Sequence, residues 1–491
     1  MSVIDWLAIA AYFALMIAVG VYIRRRVKNA RDFFTAGGKM PWWLSGISHH
    51  MSGYSSAVFV AYAAIAYTDG LSIYIWWACT IVISLVIGSF IFAPRWVRLR
   101  QKTGMISPLE YLAARYNVPT QQCLAISGSF LKIFDVGAKW TASAVLLQVF
   151  AGVDPVWGIL LTGGVTLIYS VMGGLWADAA TDLSQFIIQF ISGTVMFVVV
   201  LAHLGGVSSL WTLWQRLPAG HSDLFHGRYT ASFAAMFLLI NFLSYNGGTW
   251  SLAQRFLASP DEKSARRSAL LSAALYLFWP LVLFYPMWAA PLLLPNLADP
   301  SQSYSLIAQQ LLPRGLVGLV LAGLFAHTMA MTSSDANAVA AVAVRDIAPK
   351  LLPGSWTCDE KKQLFVARIF TLSFLIGSMG IAFLSSRMGG VLGLLLLWYG
   401  ALVGPIAIPM LLGMLPAFGS FGPSAALASW ITGIVTFCAT KLFHSAMPAD
   451  DTSNFAVSVG GPAIMALIAF LVVGLLNPDK KLRGKELLAG L

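Results

Sequence analysis

Charge is scarce in this chain. Asp, Glu, Lys and Arg together make up 10% of its 491 residues, where a soluble domain carries about a quarter. Long hydrophilic stretches are missing too: the longest connections between apolar blocks lie near 204–231, 293–314 and 345–363. That leaves no room for a soluble domain, so a membrane enzyme or a transporter-like sensor, which needs such a domain for output, is the less favoured reading. Cysteine is rare, and Cys79, Cys123, Cys358 and Cys438 are scattered without metal-ligand spacing. Three of them fall inside apolar blocks and read as small buried hydrophobes. No P-loop, nucleophile elbow or metal-ligand cluster is present to carry catalysis. The chain therefore reads as a non-enzyme.

Apolar length is abundant. Hydrophobic residues reach 58% and fall in blocks long enough to cross a hydrocarbon core, about 20 residues at 1.5 Å rise. The fold class expected is an all-α polytopic membrane protein. A net charge of +11 raises the question of nucleic acid, but the basic residues sit in short stretches between apolar blocks: "RRRVKNAR", "PRWVRLRQK", "RFLASPDEKSARR" and "DKKLRGKE". That is the signature of cytoplasmic loops. The first apolar run precedes its basic cluster, so it reads as a retained helix instead of a signal peptide.

Breaks by charge, Pro and Gly divide the chain into thirteen candidate spans. They lie near 3–23, 41–66, 71–93, 121–150, 155–173, 182–203, 232–254, 267–292, 315–344, 364–384, 389–414, 422–442 and 454–476. The preferred topology places the N-terminus outside and the C-terminus in the cytoplasm of a plasma membrane, such as the bacterial inner membrane. Only Arg216, Arg228, Arg314, Arg387 and Lys441 then fall in external connections.

Two spans are interrupted by residues that weaken helices. The second breaks at "SHHMSG" (48–53) and the seventh at "SYNGGTW" (244–250). They are five spans apart and run in opposite directions, which points to an inverted-repeat transporter with its solute at the breaks. Ionisable residues inside apolar spans are functional candidates. Lys132, Asp135 and Lys139 share one face of the fourth span as an internal ion-pair set, and Asp335 lies in the ninth. His49 and His50 point about 100° apart on a helix, so one of them faces a cavity and the other packs. Histidine titrates near neutrality, which keeps proton coupling open as an alternative.

Four motifs, "DFFTAGGKMPWWLSGIS", "YSVMGGLWADAATDLSQ", "QRFLASPDEKSARR" and "AHTMAMTSSDANAVAAVAVRDI", resemble the sodium/solute symporter family in order and spacing. The resemblance spans roughly 1–480 and implies a five-plus-five inverted-repeat core of the LeuT type. A leading helix would fall in 1–30, the repeats in 41–203 and 232–414, two trailing helices in 422–476, and a short basic tail in 477–491. The function implied is Na⁺-coupled uptake of a small polar solute, a sugar or sugar acid, by alternating access without an organic cofactor. A proton-coupled or uncoupled transporter is the alternative.

The resemblance also implies sites. The family's usual sodium would meet the carbonyls of Ser48, Met51 and His327 together with two hydroxyls, but Ala330 and Met331 stand at the hydroxyl positions and Thr328 and Thr332 lie to either side. An additional sodium would meet Asp182, Ser333 and Ser334, although Asp182 in "ATDLSQ" equally suits a helix N-cap. His50 would face the solute, with His49 packing between helices or joining Asp335 in coupling. Ser52, Tyr54, Ser55, Trp76, Trp77, Asn246, Trp250 and Gln254 would complete a cavity whose aromatic faces and hydrogen-bonding groups suit a polyol.

Overall fold

A computed structural model describes residues 1–23, 29–351, 360–388, 390–391, 393–394, 403–444, 452–479 and 484–490. The basic run at 24–28, Cys358, much of the expected span 389–414 and the tail residues 480–483 lie outside the described residues.

The described residues build a helical bundle. Its principal helices are α1 (Val3–Ile23), α2 (Trp42–Met51), α3 (Ala61–Asp69), α4 (Thr80–Ile91), α5 (Val118–Ala151), α6 (Pro155–His203) and α7 (Ala231–Leu243). They continue with α8 (Trp250–Ala258), α9 (Glu262–Leu293), α10 (Leu316–Val342), α11 (Glu360–Phe383), α12 (Gly404–Leu412), α13 (Pro423–His444) and α14 (Thr452–Leu476). Among the described residues, eight helices are long and apolar enough to cross a bilayer, and three shorter apolar helices accompany them. Pro280, Pro286 and Pro291 lie within α9, a placement that neighbouring helices make tolerable in a membrane.

Both expected interruptions exist, and the first is displaced. Helix α2 runs through His49, His50 and Met51, so the histidines occupy its last turn. The chain leaves the helix at Ser52, turns through a short 3₁₀ segment at Ser56–Phe59 and re-enters at α3. Between α7 and α8 the break is centred on Gly247, at φ 119°, and Thr249 is extended. A side chain at Gly247 would be strained, which is why glycine stands there.

The segment between the fifth and sixth spans corrects the sequence reading more deeply. Residues 174–181 were expected as a connection, but they are helical, and α6 is interrupted only at Gly174 (φ 54°, ψ −150°). The sixth span therefore begins two turns early. Asp182 lies inside a helix, and the N-cap alternative for it fails.

Helix α10 is the central element, buried along nearly its whole length and packed on α1, α5, α6 and α11. Its N-terminal amides are satisfied from another helix: Asp5 Oδ1 of α1 accepts the N–H groups of Gly315 at 2.7 Å and Gly318 at 2.9 Å. A Cβ on Gly318 would meet the Asp5 backbone at 2.2 Å, so only glycine permits this approach. Tyr169 of α6 donates to the Met329 carbonyl at 2.8 Å. Such side-chain bonds hold packed helices together where lipid supplies no hydrophobic drive.

Candidate functional site

Because the second part of α6 begins just after Gly174, Asp178 and Asp182 fall one turn apart on the same face. That face meets α2, α8 and α10. Arg255 of α8 reaches in with Nη2 at 2.5 Å from Asp178 Oδ2 and 3.3 Å from Asp182 Oδ2. The same Nη2 lies 2.5 Å from Ser334 Oγ, and Arg255 Nε donates to Ser48 Oγ at 3.0 Å. Ser333 and Ser334 donate to opposite oxygens of Asp178, the latter at 2.8 Å. Ser48 donates to Asp182 Oδ2 at 2.5 Å. All six side chains are buried, and Asp182 Oδ1 has no hydrogen-bond partner among the described residues. Two carboxyl groups face one guanidinium here, in an oxygen-rich pocket.

A second buried charge cluster ties α5 to α10. Lys132 Nζ lies 3.0 Å from Asp135 Oδ2 and 2.7 Å from Asp335 Oδ1; Lys139 Nζ lies 2.9 Å from Asp135 Oδ2 and 2.5 Å from Asp335 Oδ2. Ser251 of α8 donates to Asp335 at 2.9 Å. Two cations balance two carboxylates, so this cluster is closed and neutral. Asp335 is held by both lysines, a stronger partnership than its isolated position in the sequence implied.

Between the first break and α10 lies a cavity of 30 Å³, lined by Tyr54, Ser55, Trp77, Asp135, Lys139 and Met331, among others. A larger cleft of 690 Å³, lined in part by Val60 and Ala61, lies between α3, α5 and the connections that carry Arg228 and Asp299. Of the cavity residues expected from sequence, Tyr54, Ser55 and Trp77 are on this wall. His50 stands behind Tyr54, with Nε2 3.2 Å from the tyrosine hydroxyl. Ser52 turns aside to Ser334 Oγ (2.9 Å) and to the Ser48 carbonyl (2.7 Å).

The remaining expectations place elsewhere. Trp76 packs in an aromatic cluster on Tyr229, Phe233 and Phe237. Asn246 donates to the carbonyls of Ser84 (3.1 Å) and Phe242 (2.8 Å). Trp250 packs on Gly128 of α5, and Gln254 donates to the Phe34 carbonyl at 3.3 Å. The seventh-span residues thus brace the scaffold, because the strained turn at Gly247 directs their side chains into neighbouring helices.

The carbonyls assigned to the usual sodium are also engaged differently. The Ser48 carbonyl accepts the Ser52 amide at 2.9 Å as well as the Ser52 hydroxyl. His327 sits inside unbroken α10, its ring 4.4 Å from Tyr54 and 5.3 Å from Phe59 between centroids. Met51 closes α2, Ala330 offers its carbonyl to Ser333 and Ser334, and Met331 lines the cavity with a thioether. Thr328 is occupied by Ser56. Tyrosines cover the first break: Tyr276 donates to the His50 carbonyl at 3.1 Å and Tyr245 to that of Gly53 at 2.6 Å. His49 bridges elements, with Nδ1 2.9 Å from Ser272 Oγ and Nε2 3.2 Å from the Tyr245 carbonyl.

Sequence reasoning missed Asp178, Arg255 and Lys139 as site residues. The i, i+4 spacing of Asp178 and Asp182 was visible, but only on a helix does it place them together. Arg255 was grouped with loop charges, and Lys139 with structural ion pairs.

A polar cavity beside a broken helix, next to a buried oxygen cluster in an otherwise apolar bundle, is the architecture of a secondary transporter. The family model of the sodium:solute symporter family matches residues 33–433, and the chain belongs to that family. It is 25% identical to the sodium/sialic acid symporter NanT of Aliivibrio fischeri, over 97% of this chain and 95% of that protein. To the sodium/glucose cotransporter of Vibrio parahaemolyticus it is 25% identical, over 91% and 86%. A solved Na⁺-coupled sialic acid symporter, in a substrate-bound outward-open state, superposes with a TM-score of 0.83 at 23% identity, covering 98% of this chain and 99% of that one. The fold is thus the five-plus-five inverted repeat with two broken helices.

Proposed function

We propose that this protein carries a sugar acid across the membrane together with Na⁺, by alternating access around the cavity at Tyr54. The observation that carries the reading is that two buried carboxyl groups, Asp178 and Asp182, share the single guanidinium of Arg255. Asp182 Oδ1, without a partner, and the hydroxyls of Ser48, Ser333 and Ser334 form an oxygen set suited to a hard monovalent cation. Arg255 shares the pocket and bridges the two carboxyl groups. The Ser48–Asp182 and Ser52–Ser334 bonds link this cluster to the broken helix, so ion binding there steadies the wall that the solute uses.

Relatives named as sialic acid symporters support an anionic solute, and Lys139, paired with Asp135 and Asp335, lines the cavity. The repeats occupy 41–203 and 232–414, with one helix before and two after, and the N-terminus faces outward.

Purified protein in liposomes should accumulate labelled N-acetylneuraminic acid under an inward Na⁺ gradient. Uptake driven by a pH gradient without sodium would replace Na⁺ by H⁺, and uptake of neutral hexoses alone would remove the sugar acid.

A further inference from the structure

We propose that His50, His327 and Gln189, gathered around Tyr54, form the subsite that receives hydroxyl groups of the solute. The inference rests on the sugar-acid reading above and assigns residues to a part of the solute that reading leaves unplaced.

Four polar atoms here have no hydrogen-bond partner among the described residues: His50 Nδ1, both ring nitrogens of His327, and Gln189 Oε1. The residues come from α2, α10 and α6, and each is at most 1% exposed. Tyr54 stands among them, with its hydroxyl 3.2 Å from His50 Nε2 and 3.0 Å from Gln189 Nε2. Its ring lies 5.2 Å from that of His50 and 4.4 Å from that of His327. Buried polar groups left unpaired destabilise a protein, and a group of them in one place calls for an occupant.

The chemistry of the set selects the occupant. A neutral imidazole presents one N–H donor and one acceptor nitrogen, and Gln189 Oε1 only accepts. A partner must therefore both donate and accept, as a hydroxyl does and a carboxylate does not. The carboxylate belongs on the other wall, at Lys139.

Size decides where the cavity grows. Its 30 Å³ is about the share of one water molecule, whereas small-molecule sites occupy roughly 300–1,000 Å³. Tyr54 borders both the cavity and the unpaired set. Displacing its ring on loading joins the two, and the solute's hydroxyls replace the tyrosine as partners of the histidines and Gln189.

The test compares the full chain with His327→Phe, which keeps a planar ring without nitrogens, in proteoliposomes. N-Acetylneuraminic acid and a set of its monodeoxy analogues serve as probes. His327→Phe should raise KM for the parent about tenfold, and leave the Na⁺ half-saturation unchanged. At least one deoxy analogue should be penalised in the wild type and not in the variant, since the hydroxyl and its partner are then both gone. Gln189→Met is the second variant should His327→Phe fail to fold. Deoxy penalties identical in wild type and variants would overturn the subsite and leave water as the partner of these atoms. A wild type that imports no sugar acid would overturn the functional reading instead, and the subsite with it.

Discussion

Asp182 shows how much one residue's role depends on its surroundings. As a helix cap it would be replaceable by Asn with little loss. Buried beside Asp178, with Oδ1 unpaired among the described residues, it offers an oxygen to a cation. Asp182→Asn should raise the Na⁺ concentration for half-maximal uptake at least about tenfold, a loss of some 1.4 kcal/mol. Flux measured against a sodium titration checks this, and an unchanged half-saturation would return Asp182 to a structural part. Lys139→Gln should raise KM for an anionic solute and spare the uptake of any neutral analogue the protein carries. Equal losses for both would show that the lysine acts only through its ion pairs.

At the scale of elements, the two charge clusters do different work. The Lys132–Asp135–Lys139–Asp335 group is neutral and closed, and it fastens α5 to α10. Removing one member leaves buried charge unpaired, at a cost of about 3–5 kcal/mol. Asp335→Asn should therefore lower the melting temperature sharply in detergent, and adding Lys132→Gln should recover part of the loss. Additive losses would mean that the two do not act as a pair. The break before α8 makes a separate demand. Gly247 at φ 119° takes a side chain only with strain of about 1–3 kcal/mol, so Gly247→Ala should reduce both stability and uptake.

For the molecule as a whole, an ion that binds only the folded state stabilises it by mass action, about 2.7 kcal/mol at a hundred times its dissociation constant. NaCl should raise the melting temperature above that in choline chloride, and Asp182→Asn should abolish the difference. A shift that survives the substitution would place the sodium elsewhere. An epitope at the N-terminus should be cut by external protease in whole cells, as expected if the basic loops face the cytoplasm.

Most of the fold was legible because its causes are local. Apolar length makes α1, α5, α9 and α10 helical spans wherever they lie, and Gly-rich polar runs mark the two interruptions whatever packs on them. Of the histidine pair, His49 bridges Ser272 and the Tyr245 carbonyl while His50 packs against Tyr54. The helix beyond Gly174 was hidden because the two aspartates of "LWADAATD" pass for a loop; its alanines favour helix, and in the fold its carboxyl groups meet Arg255 and the α10 serines. Asn246, Trp250 and Gln254 sit at the right break and face the wrong way, since backbone φ at one glycine sets their direction.

Sequence by itself determined that this chain is a bundle of apolar helices, broken twice, with a few ionisable groups inside. Those properties follow from hydropathy and backbone propensity over neighbouring residues. Tertiary structure alone decided which charges meet. It joined Arg255 to two aspartates 73 and 77 residues away, and both lysines of α5 to Asp335 across 203 and 196. Charge balance in a buried pocket is a property of such distant contacts.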